Sequence, residues 1–117
     1  MNTRKTGDIY ENKACEYLTS LGYEIVTRNF RGKRGEIDII AKDGEYLVFA
    51  EVKYRESNDN GFPEESVTKS KQATIYGVAR YFLLTNNYKE STPCRFDVIA
   101  YYYDGSLKHY KNAFGGM

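Results

Sequence analysis

The chain has 117 residues and carries 17 Lys+Arg against 16 Asp+Glu, a net charge of +1. That length suits one domain over residues 1–117 with a single core and leaves no room for a second. The near-zero charge excludes a protein that coats nucleic acid by bulk positive charge, and the lack of any apolar run near the roughly 18 residues of a membrane span excludes a membrane helix.

Taken in chain order, apolar residues at Tyr10, Ala14, Tyr17, Leu18 and Leu21 fall at helical spacing, with Gly22 as a stop. Tyr23–Phe30 reads as a first strand, followed by the basic, flexible turn Arg31-Gly32-Lys33-Arg34-Gly35. Glu36–Ala41 alternates as a second strand. Asp43-Gly44 is a two-residue hairpin signal, and Tyr46–Arg55 is the third and most apolar strand. The polar stretch 56–63 predicts a mobile loop. A long helix is predicted from Glu64 to Leu84 on the stripe Ile75, Val78, Ala79 and Phe82. Arg95–Tyr103 is a fourth strand, Asp104-Gly105 a second hairpin signal, and Leu107–Phe114 a returning fifth, with residues 115–117 frayed. The order α-β-β-β-α-β-(β) predicts an α/β fold with helices packed against one central mixed sheet.

Met1–Lys5 leads into a charged segment, which argues against a secretory leader. Cys15 and Cys94 form no C-x-x-C motif, which suits a reducing cytoplasm better than a zinc site or a disulfide framework. The lone His109 reads as a strand residue and not a catalyst.

The chemistry concentrates in the hairpin 36–55. Side chains alternate across a strand, so Leu47, Phe49, Glu51, Lys53 and Arg55 share one face of strand three, and Glu36, Asp38 and Ile40 share one face of strand two. With Asp43-Gly44 as the loop, Lys42 pairs with Glu45, Asp38 lies opposite Phe49 and Glu36 opposite Glu51. Glu36, Asp38, Glu51 and Lys53 then converge on one side of the sheet. Clustered carboxylates repel one another unless compensated, and a hard divalent cation such as Mg²⁺ is the natural compensator. A lysine two residues from a carboxylate can orient the attacking water or stabilise charge on a phosphorane. The bland alternative is a solvated Glu-x-Lys pair on an exposed sheet face, which the apolar context of both strands disfavours.

Charge is partitioned along the chain: +4 over residues 27–35, −2 over 36–55, −4 over 56–66 and +3 over 67–90. Arg28, Arg31, Lys33 and Arg34, with Lys69, Lys71 and Arg80 on the second helix, could hold the phosphates beside a scissile bond. In isolation the same cluster would read as a solvated loop.

The runs Gly35-Glu36-Ile37-Asp38-Ile39-Ile40-Ala41 and Leu47-Val48-Phe49-Ala50-Glu51-Val52-Lys53-Tyr54-Arg55 resemble the YraN-type family of predicted endonucleases. The resemblance extends over nearly the whole chain. It includes Gly7 and Glu11 in helix one, Arg28-Asn29-Phe30, then Val67, Lys71 and Gln72, Arg95-Phe96-Asp97-Val98, and Asn112-Ala113-Phe114. That family is placed in the PD-(D/E)xK nuclease superfamily and is similar to archaeal Holliday-junction resolvases. The resemblance implies a restriction-endonuclease-like fold, Asp38 and Glu51 as metal ligands completed by the Val52 carbonyl, Lys53 as the catalytic lysine, and Glu11 and Gln72 as assisting residues. Ile37 stands where the superfamily's nominal proline would be, and Tyr10 where many members have glycine.

The resulting expectation is a Mg²⁺- or Mn²⁺-dependent endonuclease of the cytoplasm acting on DNA, on branched or otherwise structured substrates. Arg28, Arg31, Lys33, Arg34 and Lys71 would contact nucleic acid, Glu36, Arg55 and Lys69 are accessory candidates, and a homodimer would supply two sites for two strands. The alternative is a module that keeps the nuclease fold and binds nucleic acid or a protein partner without cleaving.

Overall fold

The computed structural model describes residues 3–55 and 67–115, with side chains from Gly7 onward. Its elements are α1 (Thr3–Ser20), β1 (Glu24–Arg31), β2 (Glu36–Asp43), β3 (Tyr46–Arg55), α2 (Lys69–Thr85), β4 (Cys94–Tyr102) and β5 (Leu107–Tyr110). The five strands form one sheet in the order β1-β2-β3-β4-β5. β3 and β4 run parallel and every other neighbour is antiparallel. A parallel pair needs a crossover, and α2 lies in the connection between β3 and β4.

Each helix covers one face. Ile75, Val78, Ala79, Phe82 and Leu83 of α2 pack on Ile40, Leu47, Phe49, Phe96 and Val98. Ala14 and Leu18 of α1 pack on Ile39, Ala41, Val48, Ala50 and Ile99. Strand β3, second from neither edge, is buried on both faces from Leu47 to Glu51. The predicted α/β architecture is therefore present, and it is consistent with a restriction-endonuclease-like fold. Among the described residues no helix is long and apolar enough to cross a membrane.

Several local expectations are corrected. Leu21 is exposed, because α1 ends at Ser20 and Gly22 turns the chain with φ +92°, so that Tyr23 takes the buried place. Helix α2 starts at Lys69, since Thr68 is extended and its side chain accepts the Lys71 N–H, the geometry of an N-cap. The predicted helical start at 64–66 and the loop 56–63 lie outside the described residues, as do 116–117. Strand β5 stops at Tyr110, and the following backbone folds back through Asn112 (φ +52°) so that the Ala113 N–H donates to the Phe96 carbonyl. In the β2–β3 hairpin Asp43 pairs with Tyr46, making Gly44-Glu45 the loop. Gly44 supplies the required positive φ of +59°, while Asp43 is held back in the strand by Arg95 Nη1 at 2.9 Å.

A polar cluster fastens the α1 face at one end of β4. Asp97 is completely buried and accepts from Arg95 Nε at 2.9 Å, from His109 Nε2 at 2.7 Å and from the Asn112 N–H at 3.0 Å. Arg95 also donates to Asp43 and to the Tyr23 hydroxyl, and the Tyr17 hydroxyl meets His109 Nδ1 at 3.0 Å. The cluster thus ties α1, the start of β1, the β2–β3 turn, β4 and β5 together. Burial would push the Asp97 carboxyl up, but the donors of His109, Arg95 and Asn112 outweigh it and hold the group below the ordinary carboxylate range.

The basic turn is docked and not free. It is closed by a Gly32 N–H to Gly35 carbonyl bond of 2.8 Å, and it lies against α2 at both glycines. A Cβ on Gly35 would meet Thr74 Cγ2 at 2.6 Å, and one on Gly32 would meet Val78 Cγ2 at 3.0 Å. These contacts require glycine for space, a signal that periodicity cannot carry.

Two stability predictions follow from this packing. Gly35→Ala should cost about 1–3 kcal/mol in denaturant titration, and adding Thr74→Ser, which removes Cγ2 but keeps the hydroxyl, should restore most of the loss. Asp97→Ala should cost about 3–5 kcal/mol, because it strands the Arg95 charge against buried partners. A loss below 1 kcal/mol would show that the cluster does not fasten the fold.

Candidate active site between β2 and β3

The β2–β3 ladder runs from Asp43↔Tyr46 to Ile39↔Ala50 and stops there. Continuing the register would set Asp38 opposite Glu51, two residues along from the predicted pairing with Phe49. Within the ladder a shift of two keeps each side chain on its face, but Asp38 lies beyond the last pair, and its closeness to Glu51 rests on side-chain contacts. Beyond Ile39 side chains take over from the backbone ladder. The Val52 N–H donates to Asp38 Oδ2 at 2.8 Å, and the Asp38 N–H points to Glu51 Oε2 at 3.4 Å. Each carboxylate thus braces the other strand.

Strict alternation also fails at Asp38. Ile37 packs in the α2-side cluster and Ile39 in the α1-side cluster, although they are two residues apart. Strand β1 shows a matching switch. Phe30 packs on the α2 side, while Arg28 reaches Glu11 of α1, and Asn29 between them has φ +51°. Strict alternation would put Ile37 and Ile39 on one face, yet they lie on opposite faces. The reason is a paired irregularity in β1 and β2 that re-aims Asp38.

The electrostatics are strained. Glu51 is only 3% exposed, and its carboxyl is pushed up to about 8 by burial first, then by the Asp38 charge, with Lys71 and Lys53 opposing. Burial lowers Lys53 to about 8, helped by Lys71 and resisted by Glu51 and Asp38. Burial and Asp38 also raise Glu11, against the pull of Asn29 and Arg28. Asp38 is thus felt from both faces, by Glu11 on α1 and by Glu51 beside the α2 lysine. One Glu11 oxygen, Oε1, is buried without a hydrogen-bond partner. The nearest cation to it, Arg28 Nη2, stands 3.8 Å away.

A search of known families supplies context. The model of the Uncharacterised protein family UPF0102 matches residues 10–101. A UPF0102 protein of Lachnoclostridium phytofermentans is 48% identical over 114 residues, covering 97% of this chain and 96% of its own. One from Clostridioides difficile is 45% identical over 115 residues, covering 97% of this chain and all of its own. One from Chlorobium limicola is 47% identical over 110 residues, covering 86% and 84%. The chain belongs to the UPF0102 family.

In this UPF0102 protein the remaining candidates divide by position. Lys71 acts electrostatically on both Glu51 and Lys53, so it stands at the site itself and not only with the basic flank. Gln72 is half-buried and turns its side-chain amide back to the Val67 carbonyl at 2.9 Å, bracing the first turn of α2. Glu36 is not drawn in, since it pairs with Arg31 at 3.4 Å near the surface. Arg28 is engaged with Glu11, whereas Lys33, Arg34 and Lys69 are exposed. Arg55 is half-buried, with Nε and Nη2 enclosed and, among the described residues, without hydrogen-bond partners. Among the described residues no group of three or more His, Cys, Asp or Glu stands as a ready cation cage. The cluster of Glu36, Asp38 and Glu51 is reduced to a pair.

Two features escaped sequence reasoning. Asn29 matters through its left-handed backbone and its side-chain bond to Glu11, and nothing in its neighbourhood announces either. The Arg95–Asp97–His109 cluster did carry a signal: charges at i and i+2 inside an otherwise apolar strand mark a buried pair.

The raised Glu51 carboxyl makes the site a stability liability with a definite pH signature. Unfolded, the group ionises near 4.5; folded, near 8, so stability present below the lower value is lost as pH rises through the upper. Glu51→Gln should therefore be more stable than wild type by roughly 2–4 kcal/mol at pH 9 and equal to it at pH 4. Thermal melts across that range, in the absence of divalent cations, check it; a gain that does not depend on pH would contradict the assignment.

Proposed function

We propose that this protein is a divalent-metal-dependent endonuclease of the cytoplasm that hydrolyses DNA phosphodiester bonds, in the manner of the PD-(D/E)xK superfamily it resembles. The observation that carries the reading is the buried Glu51 carboxylate facing Asp38 with Lys53 two residues on. A buried Glu51 whose ionisation is opposed, beside Asp38 and a lysine lowered to about 8, has a ready explanation in a cation and a reacting phosphate.

The residues fit Mg²⁺ or Mn²⁺. Asp38, Glu51 and the Val52 carbonyl form an all-oxygen donor set, the kind these ions take together with waters. The enclosed Glu11 Oε1, without a hydrogen bond among the described residues, is an acceptor that a water on such an ion would satisfy. When bound, the ion would polarise the phosphoryl oxygen and lower the pKa of water. This chain's own groups do the rest. Lys53, lowered to about 8, can accept a proton from an attacking water or donate a hydrogen bond to the phosphate oxygen. Lys71 adds positive charge beside it, Glu11 can hold a water from the α1 side, and the basic turn offers charge to flanking phosphates. A second copy of the chain would supply the second cut on a two-stranded substrate.

A second reading keeps the fold as a binding module without cleavage. It is favoured by the way Asp38 and Glu51 already engage backbone amides and by the lack, among the described residues, of a three-membered acidic or His/Cys group around them.

Purified protein with Mn²⁺ should nick or cut structured DNA, and Glu51→Ala and Lys53→Ala should each lower the rate by about 10²–10⁴-fold. Mn²⁺ affinity measured by calorimetry should rise between pH 6 and pH 8.5, because the raised Glu51 must lose its proton to bind. No Mn²⁺ heat in wild type, together with DNA binding, would leave the module as the correct reading.

A further inference from the structure

A groove of about 900 Å³ lies between the β1–β2 turn and α2. One wall is the turn, with Arg31, Lys33 and Arg34. Because Gly32 and Gly35 press its backbone on Val78 and Thr74, these three cations are presented from a fixed ledge. Among the described residues neither Lys33 nor Arg34 enters an ion pair, and no acidic side chain lines the groove. The floor is the exposed strip of α2 carrying Ser70, Ala73, Thr74 and Gly77, whose small side chains allow close approach to the helix. The far end is Tyr81, half exposed, whose ring is tilted against Phe30 at 6.0 Å.

The groove begins one residue from the proposed active site on α2. Ser70 adjoins Lys71, which acts on Glu51 and Lys53, and Tyr81 stands eleven residues further along the helix, about 16 Å away. A cationic wall, a slim floor and an aromatic ring at the end are the parts of a single-strand channel, in which phosphates follow the charge and a base stacks on the ring. The volume is that of a pocket for one extended ligand. A volume of this size suits a few nucleotides of one strand and not the two strands of a duplex.

We propose that this groove holds an unpaired DNA strand leading away from the scissile position, so that the preferred substrate is a duplex bearing an unpaired arm. The inference rests on the DNA reading above and narrows its substrate class. It also accounts for the near-neutral net charge, since a strand held in one short channel needs few cations.

Gly77 gives a clean test, because a Cβ there would meet nothing within 4 Å and a longer side chain would occupy the floor of the groove. Replacing this helical glycine also favours the helix, so Gly77→Gln should melt at or above the wild-type temperature. Tyr81→Ala removes the stacking ring independently. Fluorescence anisotropy in low salt with EDTA would compare three labelled probes: a blunt duplex, the same duplex with an unpaired arm, and the single strand. Wild type should bind the two probes with unpaired DNA about tenfold more tightly than the blunt duplex, and each variant should lose that margin. Equal affinity of wild type for forked and blunt probes, absence of DNA binding, or an intact margin in both variants would overturn the proposal. Manganese calorimetry on wild type reports separately: a fork preference without Mn²⁺ binding would remove the catalytic reading and leave the groove.

Discussion

The parting of β2 from β3 after the Ile39↔Ala50 pair is the constraint on which the candidate site depends. Backbone amides freed inside a sheet must find other acceptors. Here the Val52 amide finds the Asp38 carboxylate, and the Asp38 amide approaches Glu51. The same opening lets α1 and α2 address one point from opposite faces. Glu11 approaches through the side re-aimed by Asn29, and Lys71 approaches from the first turn of the capped helix. Continued pairing would have placed Asp38 and Glu51 as an ordinary cross-strand pair on one face, with the Val52 and Asp38 amides spent in the ladder.

Two buried carboxylates in this fold are handled in opposite ways. Asp97 receives charged and neutral donors from Arg95, His109 and Asn112, and it stays ionised as part of the scaffold. Glu51 is nearly as enclosed, but the backbone N–H that approaches it, that of Asp38, is 3.4 Å away, and burial and the Asp38 charge resist its ionisation. The difference separates a carboxylate held ionised by its donors from one whose ionisation its surroundings oppose. Parallel pairing places the two on different levels, since Asp97 pairs with Ala50 while Glu51 pairs with Val98. The rigid cluster at one level of β3 and β4 therefore anchors the strands that carry the strained site at the next.

The placement of the basic residues follows the same economy of space. Arg28 and Arg31 are tied to Glu11 and Glu36, while Lys33 and Arg34 ride on a turn that two glycines hold against α2. With a net charge of +1, direction matters more than amount: a few fixed cations beside a few carboxylates give a local field that a uniform basic surface would not.

Much of this was legible from residues alone. The 3.6 and 2.0 periodicities located both helices and all five strands, and the period of two put Glu51 and Lys53 on one face of β3 whatever the partner register. The hairpin register differs by two residues from the one expected, Asp38 against Phe49, and within the ladder such a shift keeps each side chain on its face. Periodicity is a property of one segment, so it could not show the break at Asp38, the left-handed Asn29 or the early end of β5 at Tyr110, each set by contacts with other elements. Nor could it separate Glu36, captured by Arg31, from Asp38, which faces Glu51. The sequence by itself determined which side chains each strand offers to a face. Only the tertiary structure decided which of them lose water and which face one another, because desolvation and Coulomb interactions depend on neighbours brought from α1, α2 and β4.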